Sequence, residues 1–138
     1  KGEPLPVDWH DQIVYYLGPT PAKPGDPIGS AGPTTSGRMD AYTPTMLAQG
    51  IKGMVGKGSR SPEVVEAMKK HGVTYFAAVG GAAALIAKSV KKYEVVGYPE
   101  LGPEAVAKLT VEDFPCIVVI DSEGNNFYEM GQKPYRRL

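Results

Sequence analysis

The chain has 138 residues, 42% of them hydrophobic and 22% charged, enough for one globular domain with a real core and unlike the composition of a disordered segment. Fifteen basic and fifteen acidic side chains cancel, so no net field draws the protein to nucleic acid or to anionic lipid. A single cysteine, Cys116, excludes an intrachain disulfide and excludes a cysteine-ligated zinc or iron–sulfur site built by this chain alone.

No apolar run approaches the roughly 20 residues that cross a bilayer, and the start of the chain lacks the apolar stretch of a signal peptide. A cytoplasmic protein is expected. The opening Lys1 and Gly2, followed by Pro4 and Pro6, read as the middle of a linker, so a segment is expected to precede Lys1. Residues 12–17 (Gln-Ile-Val-Tyr-Tyr-Leu) have the β-branched and aromatic density of a buried strand, which Gly18-Pro19 should end. Trp9 and His10 before it are taken as cover for the core edge, with no chemical role. The Pro- and Gly-rich residues 18–31 cannot sustain a helix or a central strand, and a long shaped loop inside a small domain is usually functional.

Residues 32–40 (Gly-Pro-Thr-Thr-Ser-Gly-Arg-Met-Asp) combine a turn, the hydroxyls of Thr34, Thr35 and Ser36, and Arg38, whose guanidinium can grip a carboxylate with two parallel hydrogen bonds. Two readings stand: an anion pocket, or hydroxyls that cap a helix beginning near Arg38. The spacing then predicts a helical region over 38–50 with Thr43 capping a restart at Pro44, and a short strand over 51–56. A second loop, Gly56-Lys57-Gly58-Ser59-Arg60-Ser61, places cations among glycines. Ser61 as cap, Pro62 in the first turn, Lys69, Lys70 and His71 in the last and Gly72 beyond bound the next helix.

A strand is predicted over 73–79, and Gly80-Gly81 then turns the chain into a small-residue helix over 82–88. Residues 91–98 read as a strand at a sheet edge, 103–109 as a helix, and 114–121 as the most apolar strand, with Cys116 inside the core. Ser122-Glu123-Gly124-Asn125 reads as a hairpin turn to a partner strand over 126–130, and residues 135–138 as a solvated tail. Strands interleaved with helices, closed by one antiparallel hairpin, predict an α/β domain with a mixed sheet, its anion loops sharing one rim.

Several chemistries fail on spacing. A P-loop would need a glycine where Ile51 stands and a hydroxyl where Gly58 stands; no dinucleotide fingerprint follows a strand; and no histidine–carboxylate pair lies near the hydroxyls of 34–36. What remains is an anion site with Arg38, Lys57 and Arg60, suited to carboxylates or phosphates. Arg60 has a second reading, as partner of an acidic residue near the following helix start.

Residues 32–40 and 56–61, with Gly80-Gly81-Ala82-Ala83-Ala84 and Tyr98-Pro99-Glu100-Leu101-Gly102, resemble the C-terminal (β) part of class I fumarate hydratase. The related β subunit of L(+)-tartrate dehydratase shares the frame. The resemblance implies a single swivelling β/β/α-type domain, a mixed sheet flanked by helices, that acts with an α subunit carrying a [4Fe–4S] cluster. The cluster would come from that partner, and the assembly would be a homo-oligomer of this chain or an α2β2 complex. It implies reversible hydration of a small dicarboxylate, fumarate, to L-malate, with no nucleic acid or membrane involved. Carried over by position, Thr34 corresponds to the base that removes the C3 proton of malate, Arg38 and Lys57 to cations holding the dicarboxylate, with Thr35 and Arg60 beside them. The family's upstream arginine-containing segment has no match before Gln12. A tartrate dehydratase or a non-catalytic anion-binding domain on the same scaffold are the alternatives.

Overall fold

A computed structural model describes residues 4–137, so the linker reading at Lys1 and Gly2 and the tail residue Leu138 lie outside the described residues. The β-branched stretch after Gln12 forms β1 (Ile13–Tyr15), and after a one-residue break at Tyr16 the chain continues as β2 (Leu17–Thr20). Gly18-Pro19 therefore does not end the strand. β2 pairs antiparallel with β3 (Ser30–Pro33), with Pro19 opposite Ala31. A two-stranded ribbon always has an unpaired edge, and there the missing proline N–H is harmless.

A 3-10 turn (Ser36–Met39) and α1 (Thr43–Leu47) occupy the predicted helical region, with Pro44 in the first turn. β4 (Gly53–Gly56) follows and is buried along its whole length. α2 (Pro62–His71) has the predicted boundaries. Ser61 Oγ accepts a hydrogen bond from the Val64 N–H at 3.4 Å, and Gly72 ends the helix in the left-handed conformation at φ 65°. β5 (Thr74–Ala77) and α3 (Ala83–Ala87) come next.

The C-terminal third differs from expectation. β6 (Val90–Gly97) is not an edge of the main sheet but pairs antiparallel with β7 (Val106–Val111), where a helix was expected. Pro103 lies in a 3-10 turn (Pro99–Glu104); beyond it the β-branched Val106, Thr110 and Val111 favour the extended pairing over a short helix. β8 (Ile117–Ile120) is an edge strand, and Cys116 before it is exposed rather than core. Its expected hairpin partner is instead α4 (Phe127–Met130), begun where Asn126 Oδ1 accepts from the Tyr128 N–H at 3.1 Å.

The main sheet has the order β1-β4-β5-β8, with β1, β4 and β5 parallel and β8 antiparallel to β5. It is mixed, as expected, although through β8 itself rather than a terminal hairpin. Strand alternation feeds two cores. On one face Met54 and Tyr75 pack with Leu47, Val64 and Met68 from α1 and α2. On the other Val55 packs with Ala31, Ala78, Ile86 and Val90, and Tyr93 and Leu109 of the β6–β7 ribbon close over that core. Each fully buried aliphatic side chain contributes roughly 1.5–3 kcal/mol. The result is helices, sheet and β-ribbons in layers, and among the described residues no helix is long and apolar enough to cross a membrane.

Candidate functional site

Parallel strands carry their C-terminal ends to one edge of a sheet, the usual place for ligands in α/β folds. Here β1, β4 and β5 end together, at Tyr15, Gly56 and Ala77. The chain leaves β1, traverses the β2–β3 ribbon and returns to that edge, where the Thr34 N–H donates to the Tyr16 carbonyl at 2.8 Å. Thr35 then forms a parallel bridge to Lys57, and the Ser36 N–H donates to the Lys57 carbonyl at 3.1 Å. The Lys57 side chain runs on across the β5–α3 turn, its Cδ 3.9 Å from where a Cβ on Gly80 would stand. Both cation-bearing loops and the glycine turn therefore share one rim.

On this rim Thr34 and Thr35 are half-buried, whereas Arg38 and Lys57 are exposed. Among the described residues neither cation forms an ion pair, whereas Lys69, Lys91 and Lys92 each pair with a glutamate. Helix capping does not account for the hydroxyls. Thr35 precedes the 3-10 turn but makes no side-chain capping bond, and Ser36 turns inward and is fully buried. The rim thus offers two hydroxyls and two cations without carboxylate partners, which suits an anion with more than one oxygen.

Beneath the rim a polar layer joins the loops. The Gly58 carbonyl can only accept, so the Tyr75 hydroxyl donates to it at 3.0 Å, and the Ser36 hydroxyl must donate to Tyr75 Oη, also at 3.0 Å. Burial pushes the Tyr75 phenol above its ordinary range, with the Ser36 bond and the Arg60 charge opposing the shift. Gly56 is required below Ser36, because a Cβ there would overlap Ser36 Oγ.

Arg60 is placed differently from Arg38 and Lys57. Its side chain is fully buried. Nε donates to Asp40 Oδ1 at 2.7 Å, Nη2 donates to Thr43 Oγ1 at 2.9 Å, and the guanidinium carbon stands 5.1 Å and 5.2 Å from the ring centroids of Tyr16 and Tyr75. With these donors engaged inside the protein, Arg60 shows the ion-pair arrangement, its second reading from the sequence. The sequence reading gives Asp40 and Tyr75 no role, and Ser36, read there as a pocket or cap hydroxyl, is instead buried against Tyr75. Asp40 stood in the motif, but its partner lies twenty residues on, beyond any local spacing rule. Thr43, expected as a helix cap, instead donates to the Met39 carbonyl at 2.8 Å while accepting from Arg60. Among the described residues no three His, Cys, Asp or Glu side chains converge to hold a metal ion.

Comparison with known proteins gives a family and several relatives. The family model described as "Fumarase C-terminus" matches residues 1–131. The aerobic class I fumarate hydratase of Salmonella typhimurium is 46% identical over 134 residues, 96% of this chain and 23% of that protein. The anaerobic class I fumarate hydratase of Escherichia coli is 45% identical over 130 residues, 93% of this chain and 24% of that protein. A Methanocaldococcus jannaschii protein, named as a candidate L(+)-tartrate dehydratase β subunit, is 43% identical over 145 residues, 100% of this chain and 74% of its own length. The chain spans about a quarter of the length of the curated fumarate hydratases it matches.

Proposed function

The chain belongs to the fumarase C-terminal family, and from that premise we propose that it is the β component of a class I fumarate hydratase, adding water reversibly to fumarate to give L-malate together with a cluster-bearing α partner. The observation that carries this reading is the pair of cations, Arg38 and Lys57, that form no ion pair among the described residues and stand on the rim that also holds Thr34 and Thr35.

In the dehydrating direction a proton leaves C3 of malate, its electron pair is held first by the adjacent carboxylate and then forms the C2=C3 bond as the C2–O bond breaks, and the departing hydroxide takes up a proton to leave as water. Loss of that proton builds a second negative charge on the adjacent carboxylate. Fixed cations stabilise this doubly charged group more than they stabilise the substrate, which lowers the barrier rather than merely tightening binding. Arg38 and Lys57 take that part, with the Thr35 hydroxyl as a further donor. Thr34 takes the C3 proton. A free hydroxyl is far too weak an acid to be ionised at neutral pH, so the neighbouring cations must favour the alkoxide or the proton must pass through the hydroxyl as it arrives.

The [4Fe–4S] cluster implied by the resemblance does not fit this chain's donors. One cysteine cannot supply the thiolates such a cluster needs, and among the described residues Cys116 belongs to no group of three His, Cys, Asp or Glu side chains able to hold a metal. In this reading the cluster belongs to the partner, and the residues here bind and orient the dicarboxylate and move its C3 proton.

The test is anaerobic turnover by the full-length protein assembled with its candidate α partner. Conversion of fumarate, with most turnover lost in Arg38→Ala and Lys57→Ala while assembly persists, supports the proposal; one lost electrostatic group typically costs roughly 10²–10³ in rate. Dehydration of tartrate in place of fumarate hydration would replace the substrate assignment, a second reading favoured by the full-chain likeness to the M. jannaschii protein. Assembly without either activity would favour an anion-binding domain.

A further inference from the structure

We infer that Arg60 is a positioning residue: its buried guanidinium, held by Asp40 and Thr43, fixes the backbone that carries Arg38 relative to the loop that carries Lys57. The inference rests on the proposed assignment of those two cations to the substrate. Arg60 lies three residues beyond Lys57, and its two strong hydrogen bonds cross to the other loop. Through Thr43, which donates to the Met39 carbonyl at 2.8 Å, it holds the residue directly after Arg38. Through Asp40 it holds the next one. Asp40 closes the connection by accepting from the Ser61 N–H on Oδ2 at 2.6 Å, so its carboxylate also satisfies the N-terminus of α2.

Stability alone does not call for this arrangement. An apolar side chain of similar volume would fill the space between the Tyr16 and Tyr75 rings without desolvating two charges, and such replacements are often neutral or stabilising. What the guanidinium adds is direction: a planar fork with fixed donor vectors accepts one arrangement of carboxylate and hydroxyl and rejects neighbouring ones. A rim that must place two cations on one small dicarboxylate needs that constraint, because a displacement of about 1 Å can cost on the order of 10²-fold in rate.

The experiment compares Arg60→Lys and the double variant Asp40→Asn/Arg60→Met with wild type in the full-length protein assembled with its partner. Fumarate kcat and KM, the melting temperature and amide hydrogen exchange at residues 38–40 and 61 are measured. Arg60→Lys keeps the charge and loses the fork. It is expected to lower kcat roughly 10- to 100-fold and to speed exchange at those amides, while exchange within α2 stays as in wild type. The double variant removes both charges and keeps the volume; it is expected to melt near wild type yet remain slow. Turnover that returns with stability in the double variant would overturn the inference, as would wild-type kcat, KM and exchange in a folded Arg60→Lys protein. Wild-type protein that ignores fumarate would reject the proposed function instead, and the exchange at 38–40 and 61 would then decide the positioning role alone.

Discussion

Gly56→Ala is the substitution whose consequence follows most directly from the geometry. The added Cβ would overlap Ser36 Oγ and would stand 3.1 Å from Tyr16 Cδ2 and 3.2 Å from Ser36 Cβ. The first contact is impossible, so Ser36 must move. Its hydroxyl then leaves Tyr75 Oη, and its N–H is drawn from the Lys57 carbonyl that joins the two loops. Overpacking a tight site costs roughly 1–3 kcal/mol, and the lost buried hydrogen bond adds about 1 kcal/mol. A destabilisation of about 2–4 kcal/mol corresponds, at roughly 2–4 °C per kcal/mol for a domain near this size, to a fall in Tm on the order of 5–15 °C. The assay is urea unfolding and thermal melting of wild type, Gly56→Ala, Ser36→Ala and the double variant. Removing Oγ relieves the overlap, so the double variant should recover at least half of the stability that Gly56→Ala loses, a coupling expected only of residues in contact. A Gly56→Ala protein as stable as wild type, or additive losses in the double variant, would refute the reasoning.

Lys57→Ala should leave the unfolding midpoint nearly unchanged, because the side chain is exposed and forms no ion pair among the described residues, while turnover of the assembled enzyme falls roughly 10²–10³-fold. Gly72→Ala, at φ 65°, should cost about 1 kcal/mol by urea unfolding, since a left-handed C-cap is strained for any residue with a Cβ. Burial raises the phenol of Tyr75 above its ordinary value of 10.0, so the folded state keeps its proton where the unfolded state loses it. This contribution is fully present below pH 10 and declines as pH rises from there through the folded value; Tyr75→Phe should show a shallower alkaline loss of stability in pH-dependent melting.

Local chemistry was the part of the fold that could be read in advance. α2 was bounded correctly because Ser61, Pro62 and Gly72 act within one turn of the helix they delimit. Residues 103–109 misled because Glu104 and Ala105 suit a helix, whereas what decides the segment is pairing with β6, at positions nine or more residues away. Residues 126–130 misled for the same reason in reverse. β8 had already taken β5 as its antiparallel neighbour, leaving Asn126 free to start a helix apart from one bridge to Ile120. At the rim, the loops that gather Thr34, Thr35, Arg38 and Lys57 were visible as glycine, hydroxyl and cation clusters. The direction of Arg60 was not, since an arginine among glycines and serines reads as solvent-facing until Asp40, Thr43 and two tyrosine rings are brought around it.

The assignment of Thr34 as the group that handles the C3 proton is tested most directly by isotope exchange in malate. The full-length protein, assembled with its partner under anaerobic conditions, is incubated with malate in deuterium oxide, and deuterium entering C3 is followed by NMR for wild type, Thr34→Ala and Thr35→Ala. The account predicts one deuterium at C3 with wild type, a slower but clear exchange with Thr35→Ala, and loss of most exchange with Thr34→Ala while the complex still forms and binds the dicarboxylate. Exchange in Thr34→Ala at the wild-type rate would contradict it.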